Sequence, residues 1–292
     1  MDHNLKAYLT LFGGLFFMCF AAIFIKAAHA PGIVTAFHRM TIAVIILLIP
    51  FLISLRRSSW KISLRGALLA MAGGLCFGLD MSFWSTGVVM SNATIPTLMA
   101  NFAPIWVGFG SMLFFKQRHK KGFWIGLAIA MIGMLLLVHK DIHGHRNFIL
   151  GASLGFVAGV FYGLFYLASQ PGRKLISTIQ YLFVSTFSSA VLLTILMLIF
   201  NYPFTGYDRF TYLIFIGIGL GVQVCGWFLI NYSQGFLPAS IVAPTLLGQP
   251  VLTAVLAIIL LGERLTVWHV SGGLIVIAGI YLVHFSSRKK SE

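Results

Sequence analysis

The sequence predicts an all-α polytopic membrane protein, with ten transmembrane helices arranged as two inverted five-helix repeats. Composition points to the bilayer: of 292 residues, 59% are hydrophobic and 9% are charged, whereas a soluble domain carries about 25% charged residues. The apolar runs are long and continuous, without the period-2 alternation of barrel strands. Because backbone groups in lipid must be paired internally, such runs indicate helices.

Ten apolar runs are long enough to cross a bilayer, which takes about 20 residues as a helix. The first run is longer than a signal-peptide core of about 7–15 residues, so we interpret it as an uncleaved transmembrane helix. The predicted spans are 5–26, 32–54, 65–87, 93–115, 122–139, 148–169, 177–200, 210–231, 238–261 and 267–285.

The basic residues predict the orientation of these spans. Fourteen of the 20 lysines and arginines fall in loops and ends on the N-terminal side, five fall on the opposite side, and Arg39 lies within a span. By the positive-inside rule, this bias puts both termini in the cytoplasm. The basic residues are scattered between spans and form no patch, so the net charge of +14 does not indicate nucleic-acid binding.

An internal repeat appears when the chain is shifted by 146 residues. Pro104 then falls on Pro250, Gly126 on Gly272 and Gly133 on Gly279. Each half holds five spans, and because five is odd the second half must be inverted in the membrane. Inverted repeats are typical of secondary transporters, whose site lies near the midplane. The predicted units are residues 1–145, residues 146–286 and a polar cytoplasmic tail, 287–292.

Asp80 and Arg39 are the charged candidates for a binding site. Asp80 lies about 15 residues, or roughly 22 Å, from the start of its span, and Arg39 about 7 residues, or roughly 10 Å, from the other side, so their depths are compatible. Charges within spans are rare, face the bundle interior and have partners. We therefore predict an Asp80–Arg39 ion pair. It either locks two helices together or lines the path of substrate or protons.

Two amides stand beside prolines in corresponding spans. Asn101 precedes Pro104 by three residues, and Gln249 directly precedes Pro250. A proline removes a backbone donor and frees a carbonyl one turn back, so we predict Pro104 and Pro250 as hinges or kinks. The amides either bind substrate, since they offer donors and acceptors, or make ordinary interhelical hydrogen bonds.

Aromatic and amide side chains supply the remaining candidates. Trp84 shares a helical face with Asp80, and the other predicted substrate-binding residues are Trp106, Asn231 and Tyr232. Tyr162 and Trp227 are further candidates for an aromatic wall. Since 14% of the chain is aromatic, span packing and interface belts are the competing explanation.

The sequence gives no sign of a cofactor or metal. Cys19, Cys76 and Cys225 lie in apolar runs, and no CxxC or Cys/His spacing occurs. Neither a disulfide framework nor a zinc site is predicted.

Two corresponding stretches carry a family resemblance. Residues 238–265, PASIVAPTLLGQPVLTAVLAIILLGERL, resemble EamA-type members of the drug/metabolite transporter superfamily. Residues 92–118, NATIPTLMANFAPIWVGFGSMLFFKQR, resemble them too, although Gln117 stands where the second half has Glu263. The resemblance covers nearly the whole chain as two repeats. It implies export or exchange of small metabolites across the cytoplasmic (inner) membrane, without saying which metabolites.

The predicted function is secondary transport of small metabolites such as amino acids, by alternating access, and not catalysis. Export of drugs or other amphipathic compounds is the alternative. An intramembrane enzyme would need a nucleophile with a base or clustered metal ligands, and a channel would need one dominant polar stripe; neither pattern occurs. Proton coupling is left open, because Asp80 would have to carry the proton while Arg39 favours its charged form. The expected partners are a small-molecule substrate and the bilayer; the sequence does not indicate an oligomeric state.

Overall fold

The computed structural model describes residues 3–58, 61–91, 94–137, 147–252, 255–256 and 267–287. Within these ranges the regular structure is entirely helical. The Leu-Gly-Glu-Arg-Leu motif at 261–265 and the tail from residue 288 onward lie outside the described residues.

The first half of the chain forms seven helical segments. They are His3–Met18 (α1), Ala21–Ala27 (α2), Gly32–Arg57 (α3), Leu64–Met90 (α4), Thr94–Ala100 (α5), Ala103–Phe115 (α6) and Lys121–Leu137 (α7).

The second half forms six α-helical segments, Phe148–Leu175 (α8), Thr178–Ile199 (α9), Arg209–Gly217 (α10), Trp227–Gln234 (α11), Ala239–Thr245 (α12) and Val267–Ser287 (α13). A π-helical segment, Ile218–Gly226, joins α10 to α11, and a 3₁₀ turn, Leu246–Gly248, follows α12.

Length and hydropathy identify membrane spans in the described residues. Eight helices, counting α1–α2, α5–α6 and α10–α11 as continuous, are long and apolar enough to cross a membrane. Two shorter apolar helices, Lys121–Leu136 and Ala239–Leu252, fall where the fifth and ninth spans are predicted. The prediction of an all-helical, multi-pass membrane protein is confirmed in these ranges, while the count of ten spans in two inverted repeats stays a prediction.

Polar side chains start several of the helices. The Ser63 hydroxyl accepts from the Gly66 amide before α4, and Ser177 forms a capping box with Gln180 before α9. Asp208 accepts from the Thr211 amide at 2.6 Å before α10, and this hydrogen bond lowers the pKa of the Asp208 carboxyl. These caps pair amide groups that have no intrahelical partner.

Four of the predicted spans are not regular helices throughout. The first is interrupted at Cys19–Phe20 and the fourth at Asn101–Phe102. The eighth contains the π-helical segment and the ninth contains the 3₁₀ turn. The interruptions in the fourth and ninth spans come just before Pro104 and Pro250, as expected from the missing amide donor of proline. Whether these two prolines act as hinges stays a prediction.

α7 and α13 pack against one another through glycines. A Cβ on Gly126 would lie 2.8 Å from the Gly279 carbonyl oxygen, and one on Gly133 would lie 2.8 Å from the Gly272 carbonyl oxygen. The numbers run in opposite directions, so the two helices are antiparallel. The 146-residue shift converts one of these contacts into the other. Close backbone approach at glycine is a common basis of helix association in membranes.

Gly279→Ala tests this contact. The added Cβ would lie 2.4 Å from the backbone nitrogen of Ala130, so α7 and α13 must separate, at a cost of about 1–3 kcal/mol. We expect a lower unfolding midpoint in detergent. Gly221→Ala is the matched control, because a Cβ there meets nothing within 4 Å. Equal midpoints for the two variants would contradict the close contact.

Candidate functional site

A small cavity of about 50 Å³ lies where the interrupted spans meet. Its walls come from both sides of the first-span interruption, from α3, α4, α5 and α8, and from the segments that follow the π-helical segment and the 3₁₀ turn. They are Met18, Ala21, Arg39, Asp80, Met81, Trp84, Thr97, Ala100, Asn101, Tyr162, Trp227 and Gln249. Interrupted helices around a buried site are typical of secondary transporters.

Asp80 is the carboxylate of this cavity. The residue is 2% exposed, and its Oδ2 atom accepts no hydrogen bond. Of the two acidic residues in the described part of the chain, it is the one within a span; Asp208 caps α10. A buried acceptor with no donor is expensive, so it calls for an explanation beyond packing.

Arg39 lines the same cavity but is bonded elsewhere. Its Nε donates to Gln223 Oε1 at 2.9 Å and its Nη1 to the Met81 sulfur at 3.3 Å. The guanidinium carbon also lies 5.9 Å from the centre of the Phe77 ring. Asp80 and Arg39 interact electrostatically, but none of the hydrogen bonds donated by Arg39 goes to Asp80. A direct hydrogen-bonded ion pair between them is therefore not observed, because a neutral amide and a thioether hold the guanidinium.

Two donors around the cavity make no hydrogen bond. They are the amide nitrogen of Asn101, which follows α5, and the indole nitrogen of Trp227. Trp84 differs, since its indole donates to the Thr97 hydroxyl at 2.9 Å. Trp84 and Asp80, which the sequence places on one helical face, both line this cavity.

Gln249 connects two of the interruptions. Its amide nitrogen donates to the Met18 carbonyl oxygen at 2.9 Å, and the Cys19 thiol donates to the Gln249 carbonyl oxygen at 3.6 Å. The interhelical hydrogen bond considered for Gln249 is thus present. It pairs a carbonyl group at the end of α1, where the helix is interrupted.

Three predicted site residues do not line this cavity. The Trp106 ring packs edge-on against Phe156, and Tyr232 lies beside Phe236. The side-chain amide of Asn231 donates to the backbone carbonyl of Trp227 at 2.8 Å. The backbone carbonyl of Asn231 accepts from Arg173. The rotation of each helix about its axis decides which side chains face the cavity, and the sequence alone did not fix that rotation.

Gln223 is the residue that the sequence reasoning missed. It is buried in the π-helical segment and holds Arg39, while its own amide nitrogen donates to Thr186 at 3.4 Å. The available signal was an amide within a glycine-rich part of an apolar span, Gly217-Ile-Gly-Leu-Gly-Val-Gln223. π-Helical segments often occur at functional sites.

The end of the bundle that holds the loop between α8 and α9 is bridged by polar side chains. Arg173 donates to the Asn231 carbonyl at 2.8 Å and to Thr178 at 2.6 Å, as well as to the Ile176 carbonyl. Gln170 accepts from the Ala239 amide at 2.8 Å, at the start of α12. These bonds join four helical segments on one side of the central cavity.

The fold defines a multi-pass membrane protein with a small buried cavity among its interrupted spans. The chain belongs to the EamA-like transporter family, whose model matches residues 5–139 and again residues 149–285. The family resemblance predicted from the sequence is confirmed.

Individual relatives carry transporter names. An uncharacterized transporter of Clostridium kluyveri is 25% identical over 77% of this chain and 73% of its own. A probable amino-acid metabolite efflux pump of Salmonella typhimurium is 25% identical over 60% of this chain and 61% of its own. One solved crystal structure covers 98% of this chain and 99% of its own with a TM-score of 0.78; at 13% identity it supports the fold alone.

Gln223→Leu tests the support of Arg39. The substitution removes the acceptor of the Nε proton, and losing a hydrogen bond to a buried charge costs about 1.5–3 kcal/mol. We expect a corresponding fall in the free energy of unfolding, measured by titration in mixed micelles. Thr186→Val is the control within the same network, because it removes only the longer bond from Gln223. Equal losses in the two variants would contradict this role of Gln223.

Proposed function

We propose that this protein is a secondary transporter that exports or exchanges small zwitterionic metabolites, such as amino acids. The observation that carries the proposal is a set of unpaired polar atoms around one cavity. Asp80 offers an acceptor, and Asn101 and Trp227 offer donors.

A zwitterion complements this set. An ammonium group donates to the Asp80 carboxylate, and a carboxylate accepts from the Asn101 amide and the Trp227 indole. Arg39 adds positive charge to the same cavity, and its hydrogen bonds go to Gln223 and Met81 and not to Asp80. Met18, Met81 and the aromatic rings give the same cavity apolar walls, which suits the side chain of an apolar amino acid.

The volume of the cavity supports alternating access. About 50 Å³ has room for a few water molecules, since one needs roughly 10–15 Å³, but not for a metabolite. Entry of substrate therefore requires helices to move apart. The interruptions at the cavity in the first and fourth spans are the places where such movement costs the fewest backbone hydrogen bonds.

The proposed architecture is ten spans in two inverted halves, 1–145 and 146–286, followed by the tail 287–292. The antiparallel α7–α13 contact, in which the 146-residue shift exchanges Gly126–Gly279 with Gly133–Gly272, supports a pseudo-two-fold axis. The bias of lysine and arginine supports cytoplasmic termini in the cytoplasmic membrane. The name of the Salmonella relative, a probable amino-acid metabolite efflux pump, supports the substrate class and the outward direction.

Export of drugs or other amphipathic compounds is the second candidate, and the apolar walls of the cavity favour it. The unpaired carboxylate oxygen of Asp80 argues against drugs without a protonated amine, because they would leave that atom without a donor. Solute flux separates both from the remaining classes: a channel only equilibrates the solute, and an enzyme changes it.

Asp80→Asn tests the site. Loss of the carboxylate weakens the bond to an ammonium group, and we expect transport to fall at least about tenfold, since a hydrogen bond between charged groups is worth roughly 1.5–3 kcal/mol. The assay is amino-acid flux in proteoliposomes, with substrates chosen by metabolite profiling of cells with and without the protein. Arg39→Gln is run alongside.

Asp208→Asn is the matched control for this variant. It makes the same change at an exposed acid outside the spans, and asparagine retains the capping function. Normal transport by correctly folded Asp80→Asn would exclude Asp80 from the function. Recovery of folding only in the double variant Asp80→Arg/Arg39→Asp would assign the two charges a structural role.

Competition by substrate analogues tests the zwitterion directly. An amino-acid amide lacks the carboxylate charge, and the corresponding des-amino acid lacks the ammonium group. A site built to pair both groups should reject each analogue, so we expect at least about tenfold weaker competition from either one. Equal competition by an apolar amine would favour the drug-export candidate.

A further inference from the structure

A second region of the molecule has the features of a ligand site. It lies at the end of the bundle that holds the loop 116–120, the start of α1 and the end of α13. Two adjoining cavities occur there, one of about 520 Å³ and one of about 620 Å³. Both fall within the usual range for ligand pockets, about 300–1,000 Å³. They share Tyr8 and His284 in their walls, so the two cavities lie side by side.

The first cavity has a mixed lining that includes two basic side chains. Four consecutive residues line it, Gln117, Arg118, His119 and Lys120, and Ser240 lines it beside Gln117. Arg118 and Lys120 are the basic side chains of this lining, and burial lowers the pKa of His119 between them. The described acids, Asp80 and Asp208, lie in the central cavity and at the start of α10. In the described part of the chain, nothing at this cavity neutralises the two basic side chains.

The loop that carries these charges is held in place. The His119 ring stacks on Phe123 at a centroid distance of 4.2 Å, and its Nε2 is hydrogen-bonded to the Ser111 hydroxyl at 2.7 Å. The Ser240 hydroxyl donates to Gln117 Oε1 at 3.5 Å. Arg118 and Lys120 flank His119, so they lie on a loop that these stacking and hydrogen-bond contacts hold in place.

The second cavity is apolar and opens toward the lipid. It runs along α1 from Tyr8 to Leu15 and along α13 from Phe285 to Ile277, a length of roughly 10–12 Å at 1.5 Å per residue. Tyr281 is 69% exposed and Phe285 is 60% exposed, as expected of side chains that face acyl chains.

We propose that these two cavities together bind one anionic phospholipid, with its phosphate at Arg118 and Lys120 and an acyl chain between α1 and α13. Charge complementarity selects the headgroup, because basic pockets between helices at a membrane surface bind acidic lipids. The apolar cavity selects the tail. A soluble anion would use only the first cavity, and a neutral lipid only the second.

The bound lipid would touch the parts that move in transport. Leu15 lies one turn before the interruption at Cys19–Phe20, and Gly248 closes the 3₁₀ turn of the ninth span; both line the apolar cavity. An acyl chain there packs against two of the interrupted spans.

The experiment measures the unfolding midpoint of the purified full chain in detergent, with added dioleoyl phosphatidylglycerol or dioleoyl phosphatidylcholine. We expect the anionic lipid to raise the midpoint by about 5 °C or more, and the zwitterionic lipid to have a clearly smaller effect. Arg118→Gln/Lys120→Gln should lose at least half of the shift, as should Ile277→Trp, which fills the apolar cavity. Salt should reduce the shift.

Matched controls make each outcome decisive. Arg56→Gln/Arg57→Gln removes two exposed charges at the end of α3 and should retain the full shift. The proposal is overturned if phosphatidylcholine stabilises equally, if glycerol 3-phosphate alone reproduces the shift, or if the control pair loses as much. Should Ile277→Trp not fold, the surface variant Arg118→Gln/Lys120→Gln decides. Transport by Asp80 variants is a separate measurement, so failure of either proposal is recognised independently.

Discussion

Backbone hydrogen bonding in lipid is the constraint on which the rest of this structure depends. A helix that is interrupted inside a membrane exposes carbonyl groups that water cannot reach, and each needs another donor. Here the Met18 carbonyl receives the side-chain amide of Gln249, from a span that is itself interrupted. Interruptions in two spans thus support one another, and the cavity forms between them. The same bond ties the position of the first span to that of the ninth.

The two charged residues of the cavity, Asp80 and Arg39, do not share a hydrogen bond. Arg39 is held by Gln223 and Met81, which leaves an Asp80 oxygen without a donor. A closed ion pair would have stabilised the helices but satisfied both groups internally. The two charges lie in one cavity but are bonded differently, so one oxygen of Asp80 remains without a hydrogen-bond donor. The neutral amide of Gln223 achieves this without adding charge to the membrane interior.

Some features of the bundle recur in both halves of the chain, and others occur in one half alone. The α7–α13 contact uses glycines at equivalent positions of both halves, whereas Gly226 and Ser185 occupy the positions equivalent to Asp80 and Arg39. This contact therefore follows the sequence repeat, whereas Asp80 and Arg39 have no charged counterparts at the equivalent positions of the second half. Binding sites grafted onto a shared scaffold explain how one family can accommodate varied ligands.

The sequence by itself determined the membrane environment, the helical class and the family, because apolar length and the proline and glycine repeat are properties of the chain. It also identified Asp80, Arg39, Trp84, Asn101 and Gln249 as residues that turn out to share one cavity. Only the tertiary structure decided that Gln223, rather than Asp80, holds Arg39, and that Trp106 and Tyr232 face elsewhere. Helix rotation and the π-helical segment set those contacts, and both depend on packing between distant spans.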